Sequence, residues 1–246
     1  MKLEPVFYSI SPQVYDDQFW WKKDDIEFWK NILQSSSSTL ELAAGTGRLG
    51  IPLIQHGCNY TGLELSKKYC DFANKKLNNQ NISFICGDMR FFQLNKKFDK
   101  IFIPFNSLLH LLNEKDLQST LNSIKEHMHL NSELYIDIFM PQASHLYNSF
   151  NKKRIEFFNS TNSKDTVVKE SLEYDSASEI INVIWNYEHN RKIYQTFNFR
   201  MKIYYPDTMN RILVDSGFQI INLWGDYNKS KFSLESSLQI YQCRKK

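Results

Sequence analysis

The stretch Thr39-Leu40-Glu41-Leu42-Ala43-Ala44-Gly45-Thr46-Gly47-Arg48 decides the fold. Its first half reads as a short buried strand over Thr39 to Ala43. Its second half reads as a glycine-bearing turn feeding a helix from Gly47 to His56, which Gly57 closes. A strand that ends in glycine and then opens a helix leaves backbone amides accessible at the helix N-terminus, where a ligand can approach. Glycine is otherwise scarce, at eight among 246 residues, so two within one three-residue stretch mark this turn as the place for chemistry. Gly45, Gly47 and Gly50 also fit the G-x-G-x-x-G spacing of a dinucleotide site.

Outward from the turn, strand alternates with helix. Asn59 to Leu65 reads as a second strand, Ser66 to Leu77 as a capped helix and Ile82 to Cys86 as a third strand. Phe98 to Ile103 gives a fourth strand, Glu114 to Met128 a helix capped by Asn113, and Glu133 to Met140 a fifth strand. Such alternation implies right-handed crossovers and a largely parallel sheet. The pattern then changes. Arg154 to Phe158, Thr166 to Tyr174, Ile180 to His189 and Lys192 to Tyr204 are polar, aromatic-dotted strand candidates with no helices between them. Pro206 opens a helix through Val214, and Phe218 to Trp224 and Leu238 to Cys243 supply two final strands. The fold class expected is α/β: a Rossmann-like, mostly parallel seven-stranded sheet with helices on both faces and an antiparallel β insertion after the fifth strand. Its parts are a helical cap over 1–34, a core over 35–143 and 203–246, and the insertion over 144–202.

Composition narrows the function. With 42% apolar, 15% aromatic and 23% charged residues the chain suits an ordinary globular protein. Its apolar runs fall far short of the roughly 18 residues that cross a bilayer. Thirty basic against 27 acidic side chains give a net charge of +3, too weak to argue for nucleic acid. The basic clusters at 152–154 and 244–246 read as solvated surface. Cysteines 58, 70, 86 and 243 have neither the paired spacing of a zinc site nor the density of a disulfide scaffold, so no metal and a reducing cytoplasm are expected. The N-terminus leads into charged and aromatic residues rather than a signal-peptide block.

Two further positions address an adenosine. Glu64 ends the second strand, where a carboxylate can accept both ribose hydroxyls, a requirement shared by NAD and S-adenosylmethionine. In Cys86-Gly87-Asp88-Met89-Arg90, Asp88 could take the adenine amino group while Met89 packs on its ring, which dinucleotide enzymes do not require. With Glu41 at the end of the first strand, the stretches E-L-A-A-G-T-G-R, G-L-E-L-S, G-D-M-R and F-D-K-I-F-I-P-F-N-S-L-L-H-L resemble, in order and spacing, successive motifs of class I S-adenosylmethionine-dependent methyltransferases. The resemblance covers residues 35–141 and, more loosely, 204–243. It implies that Gly45 and Gly47 flank the methionine moiety, that Glu64 meets the ribose, that Asp88 and Met89 hold the adenine, that Phe105 to Ser107, with Phe105 and Asn106 as cofactor contacts, face the reactive side, and that Glu41, Ala43 and Leu65 also belong to the cofactor site. Ala43 stands where the family often has its first glycine, a substitution expected to cost little.

Methyl transfer is an in-line displacement, so an enzyme mainly aligns the reactants, and a base is needed where the acceptor carries a proton. His110, just past the fourth strand in Phe105-Asn106-Ser107-Leu108-Leu109-His110, is the candidate base. Ile103-Pro104-Phe105-Asn106 lacks the N-P-P-Y-like turn of base-modifying enzymes. The aromatic N-terminal segment, that turn and the insertion resemble small-molecule N-methyltransferases of the amino-sugar N,N-dimethyltransferase and glycine or sarcosine types. In that resemblance Tyr15 lies in a segment over the cofactor, and the insertion serves either as substrate lid or as a homodimer contact. The expected activity is methyl transfer to a small-molecule amine, with no nucleic-acid or membrane partner. O-methylation, protein methylation, a non-catalytic cofactor-binding scaffold and an NAD-dependent oxidoreductase, the last favoured only by Gly50, stay as alternatives.

Overall fold

The computed structural model describes residues 10–33, 38–77, 83–142, 154–157 and 166–246. Two short helices come first, α1 (Pro12–Gln18) and α2 (Ile26–Ile32). Strand and helix then alternate through β1 (Ser38–Leu42), α3 (Gly50–Gln55), β2 (Asn59–Glu64), α4 (Lys67–Lys76), β3 (Phe84–Cys86), β4 (Phe98–Ile103), α5 (Glu114–Glu126) and β5 (Met128–Phe139). After β6 (Arg154–Phe157), β7 (Thr166–Asp175), β8 (Ile180–His189) and β9 (Lys192–Lys202), the chain closes with α6 (Pro206–Asp215), β10 (Phe218–Trp224) and β11 (Leu238–Lys245).

One sheet has seven strands in the order β10-β11-β5-β4-β1-β2-β3. The five strands from β1 to β5 run parallel, and β11 pairs antiparallel with both β5 and β10. Strand order reverses between β1 and β4, and in open α/β sheets ligands bind beyond the carboxyl ends of strands at such a switch point. The turn after β1 and the turn after β4 flank it. The other sheet, in the order β6-β7-β8-β9, is antiparallel throughout. This is the Rossmann-like sheet with an antiparallel insertion after the fifth strand that the sequence leads one to expect.

The chain divides into a larger unit of residues 24–140 and 204–246 and a smaller one of residues 1–23 and 141–203. In the larger unit α2 contributes Phe28, Trp29 and Ile32 to the core, and the Trp29 ring lies 4.8 Å from that of Phe102 on β4. In the smaller unit α1 joins the antiparallel sheet: the Tyr187 hydroxyl on β8 donates to Gln18 Oε1 at 2.5 Å, and the rings of Phe19 and Trp185 are 5.8 Å apart. The two helices that the sequence groups in one cap over 1–34 thus pack in different units.

Several boundaries shift for local reasons. Helix α3 begins at Gly50 rather than Gly47, because Gly47 has φ +81°, outside the helical region. Strand β5 begins at Met128 rather than Glu133, where Ser132 Oγ donates to Phe98 O at 2.6 Å and accepts from His129 N at 2.8 Å. Asn113 caps α5 as expected, accepting from Asp116 N at 2.9 Å. Ser66 sits at the N-cap of α4 but its side chain makes no capping bond. The expected strand start at Ile82, the strand end at Phe158, and residues 144–153 of the insertion lie outside the described residues.

Candidate active site

The turn after β1 is built on left-handed backbone. Ala43, Gly45 and Gly47 have φ of +59°, +59° and +81°. Gly47 is needed twice over, since a Cβ there would also lie 2.8 Å from the Phe84 ring. At Gly45 a Cβ would meet nothing within 4 Å, so that side of the turn is open. Ala43 adopts the same conformation without being glycine, at a cost of about 1–2 kcal/mol. Ala43→Gly should therefore raise stability by about 0.5–1 kcal/mol after the added unfolded-chain entropy. Chemical denaturation measures this, and a less stable variant would mean that packing of the Ala43 methyl outweighs the strain.

Glu64, at the end of β2, closes on this turn. Its Oε2 accepts from Gly45 N and its Oε1 from Ser66 N, both at 2.8 Å, and the residue is only 2% exposed. A carboxylate so placed carries negative charge to the glycine turn. Beside it, Ser66 Oγ is fully buried and has no hydrogen-bond partner among the described residues. Leu65 between them is half-buried.

The turn after β4 is held from β5. Phe105 and Asn106 are left-handed as well, with φ of +54° and +63°. Phe105 N donates to Asp137 Oδ2 at 3.1 Å, Asn106 N to Asp137 O at 3.0 Å, and Asn106 Oδ1 accepts from Phe139 N at 2.7 Å. The Tyr227 hydroxyl donates to the same Asp137 Oδ2 at 2.8 Å. Two successive non-glycine residues in this region are costly unless the surroundings fix them, and these bonds do so. A 3₁₀ turn follows over Ser107–His110, in which Leu108 and Leu109 are buried and His110 is exposed.

Arg48 links the two turns. Its guanidinium forms a two-pronged pair with the fully buried Asp25 at 2.8 and 2.7 Å and lies 4.8 Å from the centroid of the Phe105 ring. Beyond β3, Asp88 is held by Arg90: Oδ1 accepts from Arg90 N at 2.9 Å, and Oδ2 accepts from Nη2 at 2.7 Å. Arg90 also reaches Asp116 at 3.2 Å. Met89 is half-buried beside this pair. Glu41, Ala43, Gly45, Gly47, Glu64, Leu65, Asp88, Met89, Phe105, Asn106 and His110 all belong to the larger unit. Tyr15 belongs to the smaller one, where its ring lies 4.7 Å from that of Phe19. Among the described residues no cluster of His, Cys, Asp and Glu could hold a metal.

Residues 39–130, which carry β1 to β4 and both turns, match the family described as methyltransferase domain. Over 98% of both chains the protein is 24% identical to "Putative methyltransferase YqeM" of Bacillus subtilis (strain 168). It is 32% identical over 93 residues, 38% of each chain, to dTDP-3-amino-3,4,6-trideoxy-alpha-D-glucopyranose N,N-dimethyltransferase of Streptomyces venezuelae. Among solved structures it resembles the CcbJ methyltransferase from Streptomyces caelestis, with a TM-score of 0.80, 17% identity and 98% of both chains covered. Residues 39–130 thus form a methyltransferase domain of the S-adenosylmethionine-dependent kind.

In this methyltransferase the third glycine of the G-x-G-x-x-G spacing has a structural use. A Cβ on Gly50 would fall onto the Tyr60 hydroxyl, which donates to Glu41 Oε2 at 2.6 Å. Sequence reasoning passed over Tyr60, Asp25, Asp137 and Tyr227. Of these only Asp137 leaves a sequence signal, as a lone carboxylate inside the apolar run Tyr135 to Met140.

Burial pushes the Glu41 carboxyl up from about 4.5 to about 8, against the opposing pull of the Tyr60 hydroxyl and the Arg48 charge. The native state then retains a proton that the unfolded chain releases, so stability should fall as pH rises from about 4.5 through about 8. Glu41→Gln removes the titrating group and keeps an acceptor for Tyr60. Its denaturation midpoints should be flatter with pH across that interval than those of the wild type, and parallel profiles would show that Glu41 does not titrate there.

Proposed function

We propose that this methyltransferase moves the methyl group of S-adenosylmethionine to an amine nitrogen of a small molecule. The observation that carries the reading is the closure of Glu64 on the open Gly45 turn at the switch point of the sheet, with a partnerless buried Ser66 hydroxyl beside it. An adenosine with a charged methionine tail fits those residues. Glu64 would accept from the ribose, Gly45 and Gly47 would admit the methionine portion, and Leu65 and Met89 would offer apolar contact to the base. Asp88 would serve the adenine amino group only by sharing oxygens already held by Arg90.

When bound, S-adenosylmethionine supplies a methyl carbon on a positively charged sulfur, so the departing thioether needs no acid. What this chain must provide is alignment and, for an acceptor that carries a proton, a base. Asp137 sets the turn of Phe105 and Asn106, and the buried Leu108 and Leu109 present the exposed His110 on its far side. His110 takes the acceptor's proton there. Support for an amine comes from the similarity to an N,N-dimethyltransferase whose name specifies an amino sugar.

A panel of primary amines, amino sugars, amino acids and phenols, scored by formation of S-adenosylhomocysteine, tests the reading. Turnover is expected with amines. Turnover confined to phenols would overturn the acceptor class, and no turnover with cofactor bound would favour a non-catalytic scaffold.

A further inference from the structure

Cys70 and Cys86 reach the same piece of backbone from different elements. Cys86 ends β3 directly opposite Glu64 in the parallel ladder, and Cys70 lies in the first turn of α4 with its N–H on Ser66 O at 3.0 Å. The Cys70 thiol donates to Glu64 O at 3.5 Å and the Cys86 thiol to Leu65 O at 3.4 Å. The sulfurs thus sit on consecutive carbonyls of one backbone segment. Cys86 is exposed and Cys70 buried.

We propose that Cys70 and Cys86 form a thiol–disulfide couple, and that its oxidation loosens the Glu64–Ser66 segment and weakens cofactor binding. The second half rests on the reading of Glu64 as a cofactor ligand; the first does not. The division of labour follows from the surroundings. Burial, and then the Glu64 carboxylate, push the Cys70 thiol well up, so Cys70 stays protonated while the exposed Cys86 meets the oxidant. With a peroxide, the Cys86 sulfur attacks one oxygen, the O–O bond breaks, and Cys86 becomes a sulfenic acid as water leaves. The Cys70 sulfur then attacks that of Cys86, the S–O bond breaks, and the hydroxyl departs with the Cys70 proton as a second water. Two thiols are oxidised, one peroxide is reduced, and the balance closes.

A disulfide is about 2.05 Å long and carries no S–H, so forming it removes both thiol donors from the Glu64 and Leu65 carbonyls. The first turn of α4 is then drawn toward the end of β3. That turn follows directly on Ser66, whose N–H holds Glu64 Oε1 at 2.8 Å, so the strain falls on one of the two bonds that orient the carboxylate.

The test treats the full-length protein with hydrogen peroxide, maps its cysteines by mass spectrometry and titrates S-adenosylhomocysteine before and after. The expected result is a Cys70–Cys86 cross-linked peptide lighter by two hydrogens, an affinity about tenfold lower or more, and recovery with dithiothreitol. Cys70→Ser and Cys86→Ser should each lack the cross-link and keep their affinity through the treatment. Peroxide that leaves Cys86 unmodified, or carries it to sulfinic acid without a cross-link, would overturn the couple. A cross-linked protein with unchanged affinity would overturn its consequence. If the reduced protein does not bind S-adenosylhomocysteine at all, the functional reading fails together with that consequence, while the cross-link map still decides the couple.

Discussion

Replacing His110 with asparagine is expected to lower the maximal rate by about 10²- to 10⁴-fold while cofactor affinity stays nearly constant. The size follows from the role. A base positioned on the acceptor's proton acts in the transition state, whereas the ligands proposed for the methionine portion and the ribose lie in the turns after β1 and β2. Placement supports that separation, because His110 is exposed at the end of a 3₁₀ turn that Leu108 and Leu109 anchor, and its removal leaves the bonds of Asp137 to Phe105 and Asn106 in place. An imidazole that accepts a proton must be neutral, so the wild-type rate should fall toward acid pH, and the variant should lose that limb. If His110 only orients the acceptor, the Michaelis constant should rise and the pH profile should persist. A variant with wild-type rate and pH dependence on the best substrate would end the assignment.

Glu64→Ala is expected to weaken cofactor binding by about 1.5–3 kcal/mol, the range for hydrogen bonds to a charged partner. The structure adds a cost in stability that the sequence alone does not suggest. Glu64 accepts from Gly45 N and Ser66 N in a site with almost no solvent, so alanine leaves two donors without their acceptor, at about 1–3 kcal/mol each where water cannot enter. Glu64→Gln separates the two effects, since its carbonyl oxygen keeps one of these bonds while its amide group faces a donor with a donor. Both variants should lose affinity, the alanine variant with the larger fall in unfolding temperature. A folded variant that binds S-adenosylhomocysteine as well as the wild type would remove Glu64 from the cofactor site.

The fold, the glycine turn and the carboxylate at the end of β2 were legible because their signals are local. The Gly45-Thr46-Gly47 turn, the strand-end Glu64 and the alternation of strand and helix each occupy a few consecutive residues. The change of regime after the fifth strand was legible too, although the pairing order β6-β7-β8-β9 depends on long-range register. What stayed hidden depends on residues distant in sequence. Arg48 finds Asp25 across 23 positions, and Tyr227 finds Asp137 across 90. Neither pair has a spacing that could announce it. Gly50 shows the opposite hazard: it completes a dinucleotide pattern, but the close helix–strand packing against Tyr60 that it permits serves either cofactor. Asp88 is a third case. Its position after β3 suits an adenine contact, but only the structure shows Arg90 folding back onto its carboxylate.

The most direct test of the central claim is calorimetric titration of the purified protein with S-adenosylhomocysteine, S-adenosylmethionine and NAD in parallel. The closure of Glu64 on the Gly45 turn, together with Asp88 and Met89 beyond β3, predicts saturable binding of both methionine-derived ligands in preference to NAD. Saturable binding of NAD with no response to either of the other two would contradict it.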